Sequence, residues 1–384
     1  MSSPEKKRKK KKTTSTNNPS PESTPIASLP DDLLLSIFAR LSRLYYPSLS
    51  LVSKTFRSLL ASPELYKTRS FLGRTESCFY MCLVFPSEPN RRWFTLCRKP
   101  NRTSTKKKKS NGHVMAAIPI PHSPPGQWLG LVAVGSDIYN IGGGSIYEEY
   151  SSSVSILDCR SHTWREGPSM LVKRNCPAAN VFDGKIYIAG GCEDNSSSNW
   201  MEVFDIKTQT WKPVMNPIAE RCESIICKSA VIDEAICVFG HKGVAYNPKE
   251  DRWEAIAELN YLDLGWIWFT YSVIDKVLFC YSNLDGMKWY DSKIGNWKML
   301  KGLKGLPKFA DHCRVKLADY GAKMAVLWDK YLPSSGYQNK TIWCAVIALE
   351  RRNTQEMWGK VECLDAVLTV PKSYEFVGAL SATL

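Results

Sequence analysis

Histidine is scarce in this sequence, with five residues among 384, and these are His113, His122, His162, His241 and His312. Their wide separation argues against a copper or zinc centre, because such centres are built from clustered imidazole and thiolate ligands. The 13 cysteines also lack the paired short spacings of a zinc site. We therefore expect no metal and no cofactor, and we expect cysteines inside apolar runs, such as Cys237, Cys280 and Cys344, to be reduced and buried.

Long uninterrupted apolar runs are also missing. The most apolar stretch, Leu264–Tyr281, is broken by Asp275 and Lys276, with aromatic and β-branched residues on both sides. This pattern predicts two strands joined by a turn rather than a membrane-spanning helix. No apolar segment of the signal-peptide type follows the basic residues near Met1. We expect no membrane partner, and we expect the protein in the nucleus, the cytoplasm or both.

Recognisable catalytic motifs are absent as well. The glycine cluster that begins at Gly142 lacks the third glycine of a dinucleotide-binding loop, because Tyr147 takes its place. No serine, cysteine or carboxylate lies in a known nucleophile motif. The sequence therefore predicts a protein without catalytic residues.

The net charge of +14 is concentrated in two segments. Residues 1–12 contribute +6 and Lys106–Lys109 contribute +4, which leaves +4 for the rest of the chain. Residues 1–25 consist mainly of Ser, Thr, Asn, Pro and Lys, which predicts a disordered basic tail. The run Lys6–Lys12 favours recognition by a nuclear import receptor, and the alternative is a solvated tail that binds polyanions weakly. Neither run has interleaved aromatic residues, so no specific nucleic-acid partner is expected.

Residues 26–73 carry helix start signals and helical periodicity. Ser28 can cap a helix, Pro30 suits its first turn, and Asp31 and Asp32 place negative charge there. Apolar residues then recur at intervals of three and four on both sides of Pro47, and a third start follows at Ser62-Pro63-Glu64. We predict three short helices. Their apolar surface exceeds what a domain of this size can bury, so part of it should belong to a partner.

These residues resemble the F-box, whose pattern is Leu-Pro, a run of leucines, then Val-Ser-Lys, an aromatic residue and Arg. Phe56 stands here where many members carry Trp. The resemblance implies docking on a Skp-family protein and, through it, on a cullin. The alternative is a three-helix cap on the domain that follows. The residues expected to bind the Skp-family protein are Leu29, Pro30, Leu33, Leu34, Ile37, Leu41, Val52, Lys54 and Phe56.

Residues 74–384 contain a repeat in which Asp or Asn precedes Trp by six positions. The repeat occurs at Asp158–Trp164, Asp205–Trp211, Asn247–Trp253 and Asp291–Trp297. An Asp or Asn side chain can bond the backbone two residues on and start a tight turn, so each segment predicts a hairpin. Glycine clusters end the upstream strands near Gly144 and Gly191, where positive φ and close backbone approach are needed.

Successive tryptophans of this repeat are 42 to 47 residues apart, which together with the glycine pairs resembles kelch repeats. The resemblance implies an all-β propeller of about six blades, the first of them at Cys78–Gln127. Residues Tyr374–Leu384 should pair with the first blade and close the ring. Trp358 follows Trp297 by 61 residues, which predicts a long insertion near Tyr331–Lys340.

Together the two resemblances imply a plant-type F-box/kelch-repeat protein. Such a protein would be the substrate adaptor of a Skp-cullin-F-box ubiquitin ligase, with little core shared between helices and propeller. The alternative is a nuclear scaffold or nucleic-acid-associated protein that uses the lysine runs. The sequence does not name the protein substrate. Its expected contacts are Trp128, Arg174, Arg221 and Trp266, for which core packing or solvated charge is the alternative role.

Overall fold

The computed structural model describes ten segments of the chain. They are residues 29–99, 112–120, 123–124, 130–143, 149–193, 199–218, 228–239, 243–256, 270–309 and 314–384. The predicted tail at 1–25, the Ser28 cap and the two lysine runs lie outside the described residues. Within the described segments, no helix has the length and apolar character needed to cross a membrane.

The N-terminal part contains four α-helices where the sequence predicts three. They are α1 (Asp31–Arg40), α2 (Tyr46–Leu49), α3 (Lys54–Ala61) and α4 (Pro63–Phe71), with a 3-10 turn at Arg43–Tyr45. The expected second helix is divided in two. Pro47 lies in the first turn of α2 instead of ending a unit, and the Ser53 hydroxyl caps α3 by accepting a hydrogen bond from the Phe56 amide at 3.0 Å.

Within the described segments, twenty-four strands form six antiparallel sheets of four strands, which are the blades of a propeller. Blade 1 contains β1 (Ser77–Val84), β2 (Arg92–Arg98), β3 (His113–Ile118) and β24 (Glu375–Thr383). Blade 2 contains β4 (Leu131–Val134), β5 (Asp137–Ile141), β6 (Val154–Asp158) and β7 (Thr163–Glu166). Blade 3 contains β8 (Ala178–Phe182), β9 (Lys185–Ala189), β10 (Met201–Asp205) and β11 (Thr210–Val214).

The other three blades repeat the same meander. Blade 4 contains β12 (Lys228–Ile232), β13 (Ala235–Phe239), β14 (Val244–Asn247) and β15 (Arg252–Ala255). Blade 5 contains β16 (Thr270–Ile274), β17 (Val277–Ser282), β18 (Gly286–Asp291) and β19 (Asn296–Met299). Blade 6 contains β20 (Lys316–Asp319), β21 (Met324–Tyr331), β22 (Asn339–Asn353) and β23 (Glu356–Pro371). The predicted six-bladed architecture is confirmed.

The ring closes through β24, as the sequence predicts. This strand pairs antiparallel with β1, from Ser77 opposite Thr383 to Val84 opposite Glu375. The first strands of blades 2 to 6 (β4, β8, β12, β16 and β20) contact one another in order, and β24 contacts both β20 and β4. The inner strands therefore form a continuous ring in which neither end of the propeller is left open.

The repeated Asx-to-Trp segments form the predicted hairpins. In each of them the Asx side chain accepts a hydrogen bond from the amide two residues on, at 2.8 Å for Asp158, 2.9 Å for Asp205, 3.0 Å for Asn247 and 3.2 Å for Asp291. The residue two before each Trp has positive φ, as at Gln209 (φ 57°). Local side-chain chemistry thus starts the turn, and a left-handed residue completes it.

Two connections bear on the other predictions. Gly191 adopts φ +69°, and a Cβ there would lie 2.4 Å from the Asn175 carbonyl oxygen, so the predicted need for glycine at this strand end is confirmed. The insertion predicted near Tyr331–Lys340 takes the form of a lengthened hairpin between β21 and β22. Tyr331 pairs with Lys340 near the tip of this hairpin, and much of the added length before Trp358 lies in the 15-residue β22, whose counterpart β10 has five residues.

Helices and propeller share one hydrophobic core, contrary to expectation. Leu34, Phe38 and Leu65 of the helices belong to the same buried cluster as Tyr80 of β1 and Leu384. The chain before β1 also pairs with the chain after β24, because the Glu76 amide donates to the Leu384 carbonyl at 2.7 Å. The helical part is therefore held firmly against blades 1 and 2.

Candidate functional site

Helix α1 has a buried apolar face and an exposed one. Leu34 and Phe38 are buried, whereas Leu33, Ile37 and Leu41 are 53%, 42% and 37% exposed. Leu33 and Ile37 lie on one side of α1, and Leu41 follows at the same four-residue interval as the residue that ends the helix. Large apolar side chains gathered on a monomer surface mark interaction sites. We call Leu33, Ile37 and Leu41 the α1 stripe.

Two residues predicted to bind a Skp-family protein are instead part of the helical core. Leu34 is 1% exposed, and Phe56 packs edge-on against Phe38 with ring centroids 4.9 Å apart. The Tyr46 hydroxyl donates to the Phe38 carbonyl at 2.8 Å and closes this core from the side of α2. The prediction that Leu34 and Phe56 are surface contacts of a Skp-family protein is therefore wrong. Leu29 is half-buried and packs against the same core.

The remaining predicted contacts are exposed. Pro30 and Lys54 lie on the surface, and Val52 is 60% exposed in the turn between α2 and α3. Leu51, in the same turn, is 79% exposed and was missed. A continuous second helix would have placed these two residues on different faces. Recognition of Ser53 as an N-cap would have identified the turn, since a cap residue begins a helix.

Arg69 of α4 fixes the helices relative to one another. It is 2% exposed, and one of its terminal nitrogens donates to the Leu41 carbonyl at 2.7 Å and to the Tyr46 hydroxyl at 3.0 Å. The other terminal nitrogen donates to the Glu76 carboxylate at 2.8 Å. A buried guanidinium is stable only when it is paired in this way. The α1 stripe therefore ends at Leu41 on a rigid support that continues into the propeller.

The hairpin turn between β6 and β7 of blade 2 meets the helices. The Tyr80 hydroxyl donates to the Cys159 carbonyl at 3.1 Å and lies 3.2 Å from the His162 Nε2 atom. Burial first, and then the Arg43 cation, lower the pKa of His162 to about 4. This imidazole is therefore neutral at pH 7, so its enclosed position carries no cost of desolvating a charge.

Of the four predicted substrate contacts, three lie outside the described residues: Trp128, Arg221 and Trp266. Arg174 is fully buried and forms an ion pair with Glu202, with the Nη2 and Oε1 atoms 2.8 Å apart. Because its guanidinium is enclosed between blades 2 and 3, Arg174 presents no charge to a substrate. The prediction for Arg174 as a contact residue is wrong, and core packing is its role.

One group within the described segments has a composition that could hold a metal ion. The ligand atoms of His113, Cys363 and Asp365 lie within 4.8 Å of one another. However, the Asp365 carboxylate already accepts hydrogen bonds from the His113 ring at 2.9 Å and from the His113 amide at 3.2 Å. Burial also raises the pKa of the Cys363 thiol, which disfavours the thiolate that a metal requires. These contacts link β3 of blade 1 to β23 of blade 6.

Comparison with protein families agrees with both parts of the chain. A model described as the F-box domain matches residues 26–68, and one described as the FKB95, Kelch-repeats domain matches residues 93–368. The first match includes the α1 stripe and the turn that holds Leu51 and Val52. F-box domains in general bind Skp-like proteins, and kelch propellers bind substrates.

Relatives in Arabidopsis thaliana extend the match to the whole chain. F-box/kelch-repeat protein At4g39550 is 59% identical over 400 residues, with all of both chains covered. F-box/kelch-repeat protein At5g49000 is 61% identical over 385 residues, again with all of both chains covered. F-box/kelch-repeat protein At4g39560 is 70% identical over 271 residues, which cover 70% of this chain and 98% of the relative. With four helices of F-box type packed on a closed kelch propeller, this chain belongs to the F-box/kelch-repeat family.

Proposed function

We propose that this protein is a non-catalytic substrate adaptor of a Skp-cullin-F-box ubiquitin ligase, acting in the nucleus, the cytoplasm or both. The α1 stripe carries the proposal. It is an exposed apolar surface on a well-packed helix, within the residues that match the F-box domain. An apolar stripe of this kind suits a hydrophobic docking site, in which burial of Leu33, Ile37 and Leu41 would supply the binding energy.

The adaptor would act by proximity. The Skp-family protein would hold the helical part, the propeller would hold a substrate protein, and the fixed distance between them would raise the local concentration of a substrate lysine near the ubiquitin-charged enzyme. The core that joins α1 and α4 to blade 1 supports this mechanism, because it limits the movement of one part relative to the other. The reaction itself would need no catalytic group from this chain.

The test is Ile37→Asp in the full-length protein, with capture by a purified Skp-family protein as the measurement. Ile37 is exposed, so the substitution removes no core contact, while it places a charge inside the proposed interface. Truncation of an interface anchor costs about 1–4 kcal/mol, and a buried unpaired charge adds to that loss. We expect capture of the variant to fall at least about tenfold, which corresponds to about 1.4 kcal/mol.

Leu284→Asp is the matched control. Leu284 is an exposed leucine in the turn between β17 and β18 of the propeller, so this variant should be captured as well as the wild type. Wild-type capture should survive high salt, because screening weakens charge interactions and leaves apolar burial in place. Equal capture of Ile37→Asp and wild type would contradict the proposal. Binding only to RNA or DNA, lost at high salt, would favour the nuclear scaffold instead.

A further inference from the structure

A cavity of about 460 Å³ lies between the helices and the propeller. Its apolar wall includes Leu44, Tyr46 and Leu60 on the helical side and Leu96, Ala117 and Ile118 on the side of blade 1. Small-molecule sites typically have volumes of about 300–1,000 Å³, with mainly apolar walls and a few placed polar groups. The cavity has the size and the apolar character of such a site.

The polar part of the wall is positively charged. Three guanidinium groups line the cavity, those of Arg43, Arg57 and Arg160, against the single carboxylate of Glu76. Two of these four charges are already compensated, because Arg160 is paired with Asp158 at 2.8 Å and Glu76 is paired with Arg69 at 2.8 Å.

Arg43 and Arg57 supply the uncompensated charge. Within the described segments, neither has a carboxylate within ion-pair distance, which is 4.0 Å. A ligand with a negative charge would therefore find two cations in this wall that are not engaged by acidic side chains.

Arg43 is oriented for such a role. Its guanidinium lies 5.4 Å from the ring centroid of Tyr46 and 5.2 Å from that of Tyr66. It donates to the Tyr66 hydroxyl at 2.6 Å and, more weakly, to the Cys159 carbonyl at 3.4 Å. These contacts fix the plane of the group and use two of its five N–H donors. A pre-oriented guanidinium is suited to bidentate recognition of a carboxylate.

We propose that this cavity binds a small organic acid. Its carboxylate would meet Arg43 and Arg57, and its apolar body would lie against Leu44, Leu96 and Ile118. This proposal does not depend on the adaptor function. Since the wall is shared between the helices and blade 1, a bound acid would also hold the two parts together and raise the melting temperature of the whole chain.

The test uses isothermal titration calorimetry of the full chain with two probes, 4-butylbenzoate and the uncharged 4-butylbenzamide. We expect the acid to bind once per chain and the amide to bind at least about tenfold more weakly, because only the acid can form charge-assisted hydrogen bonds. Arg57→Gln should weaken binding of the acid about tenfold. Lys67→Gln is the matched control, since Lys67 is exposed on α4, outside the cavity wall, and loses the same charge.

Ala117→Trp gives an independent test of the location. Ala117 is an exposed residue of β3 that lines the cavity, so a larger side chain can fill the space without removing a core contact. This variant should keep the melting temperature of the unliganded protein and lose binding of 4-butylbenzoate. Unchanged binding to Ala117→Trp, equal binding of acid and amide, or no binding of the acid at millimolar concentration would each show that the proposal is wrong.

Discussion

Arg174→Met should destabilise the propeller strongly, because Arg174 links blades 2 and 3 from a fully buried position. Its guanidinium pairs with Glu202 and donates to the carbonyls of Gly190 and Trp200 at 2.7 and 3.1 Å. Its backbone exchanges two hydrogen bonds with Ser151 of blade 2, at 2.9 and 3.0 Å. Methionine is similar in length and apolar, so it can occupy the space while the charge and the hydrogen-bond donors of the guanidinium are lost.

The loss of unfolding free energy depends on the contacts that Glu202 would keep after the substitution. Its carboxylate is 1% exposed and would lose its only ion-pair partner among the described residues. Removal of one member of a buried ion pair typically costs about 3–5 kcal/mol. Glu202 would keep the amide donors of Leu171 and Val172, at 2.8 and 3.3 Å, so we expect a loss of about 3–4 kcal/mol. Adding Glu202→Gln should recover part of it, because an amide carries no charge.

The assay is urea denaturation followed by tryptophan fluorescence, with Arg252→Met as the control. Arg252 also contacts two carboxylates, those of Glu250 at 2.7 Å and Glu254 at 3.0 Å, but its side chain is 58% exposed. Exposed ion pairs contribute little, so the control should stay within about 0.5 kcal/mol of the wild type. If Arg174→Met loses less than about 1 kcal/mol, or no more than the control, the buried-link interpretation is refuted.

Three further predictions test other parts of the chain. Trp211→Ala should lower the unfolding free energy by about 3–5 kcal/mol, as for other buried aromatic residues. The Trp211 ring packs on that of Phe204 with centroids 4.9 Å apart, and its Nε1 donates to the Pro168 carbonyl at 2.8 Å. A loss below about 1 kcal/mol in thermal denaturation would place Trp211 on the surface. Because the pKa of His162 is lowered in the folded protein, the stabilisation that comes from its neutral form is fully present above pH 6.5, the ordinary histidine pKa. It is lost as the pH drops toward 4. His162→Asn, which tolerates the positive φ there, should reduce the fall in unfolding free energy between pH 7 and pH 5, and an identical fall would count against this role. Deletion of residues 1–12 should lower nuclear accumulation of a fluorescent fusion without changing its melting temperature, and an unchanged distribution would leave the solvated-tail interpretation standing.

The hairpins were predictable because their determinants are local. An Asx side chain and an amide two residues away fix the start of each turn, as at Asp205, without help from the rest of the molecule. The turn at Asp275 and Lys276 was equally clear, since both residues adopt positive φ between β16 and β17. Repetition of such units along the chain then indicates the blades and their closure.

The parts that were missed depend on residues distant in sequence. Glu202 lies 28 positions after Arg174, and no short motif connects them, so a buried ion pair could not be distinguished from an exposed arginine. The same applies to the inner and outer faces of the helices. Leu33 and Leu34 are adjacent leucines of equal hydrophobicity, and only packing against Phe56 and its neighbours decides which of the two stays exposed.

The closing strand has a consequence for synthesis of the protein. β24 follows the other twenty-three strands that the structure describes, yet it supplies the first position of blade 1, next to a strand that is made early. Until Glu375–Thr383 emerge from the ribosome, β1 keeps a bare edge, and the helices lack the core contacts of Ala382 and Leu384. A chain that stops before β24 would thus combine an exposed sheet edge with loosely held helices, which is the kind of surface that chaperones and proteases recognise. The fold would thereby favour removal of truncated chains before they could occupy a partner.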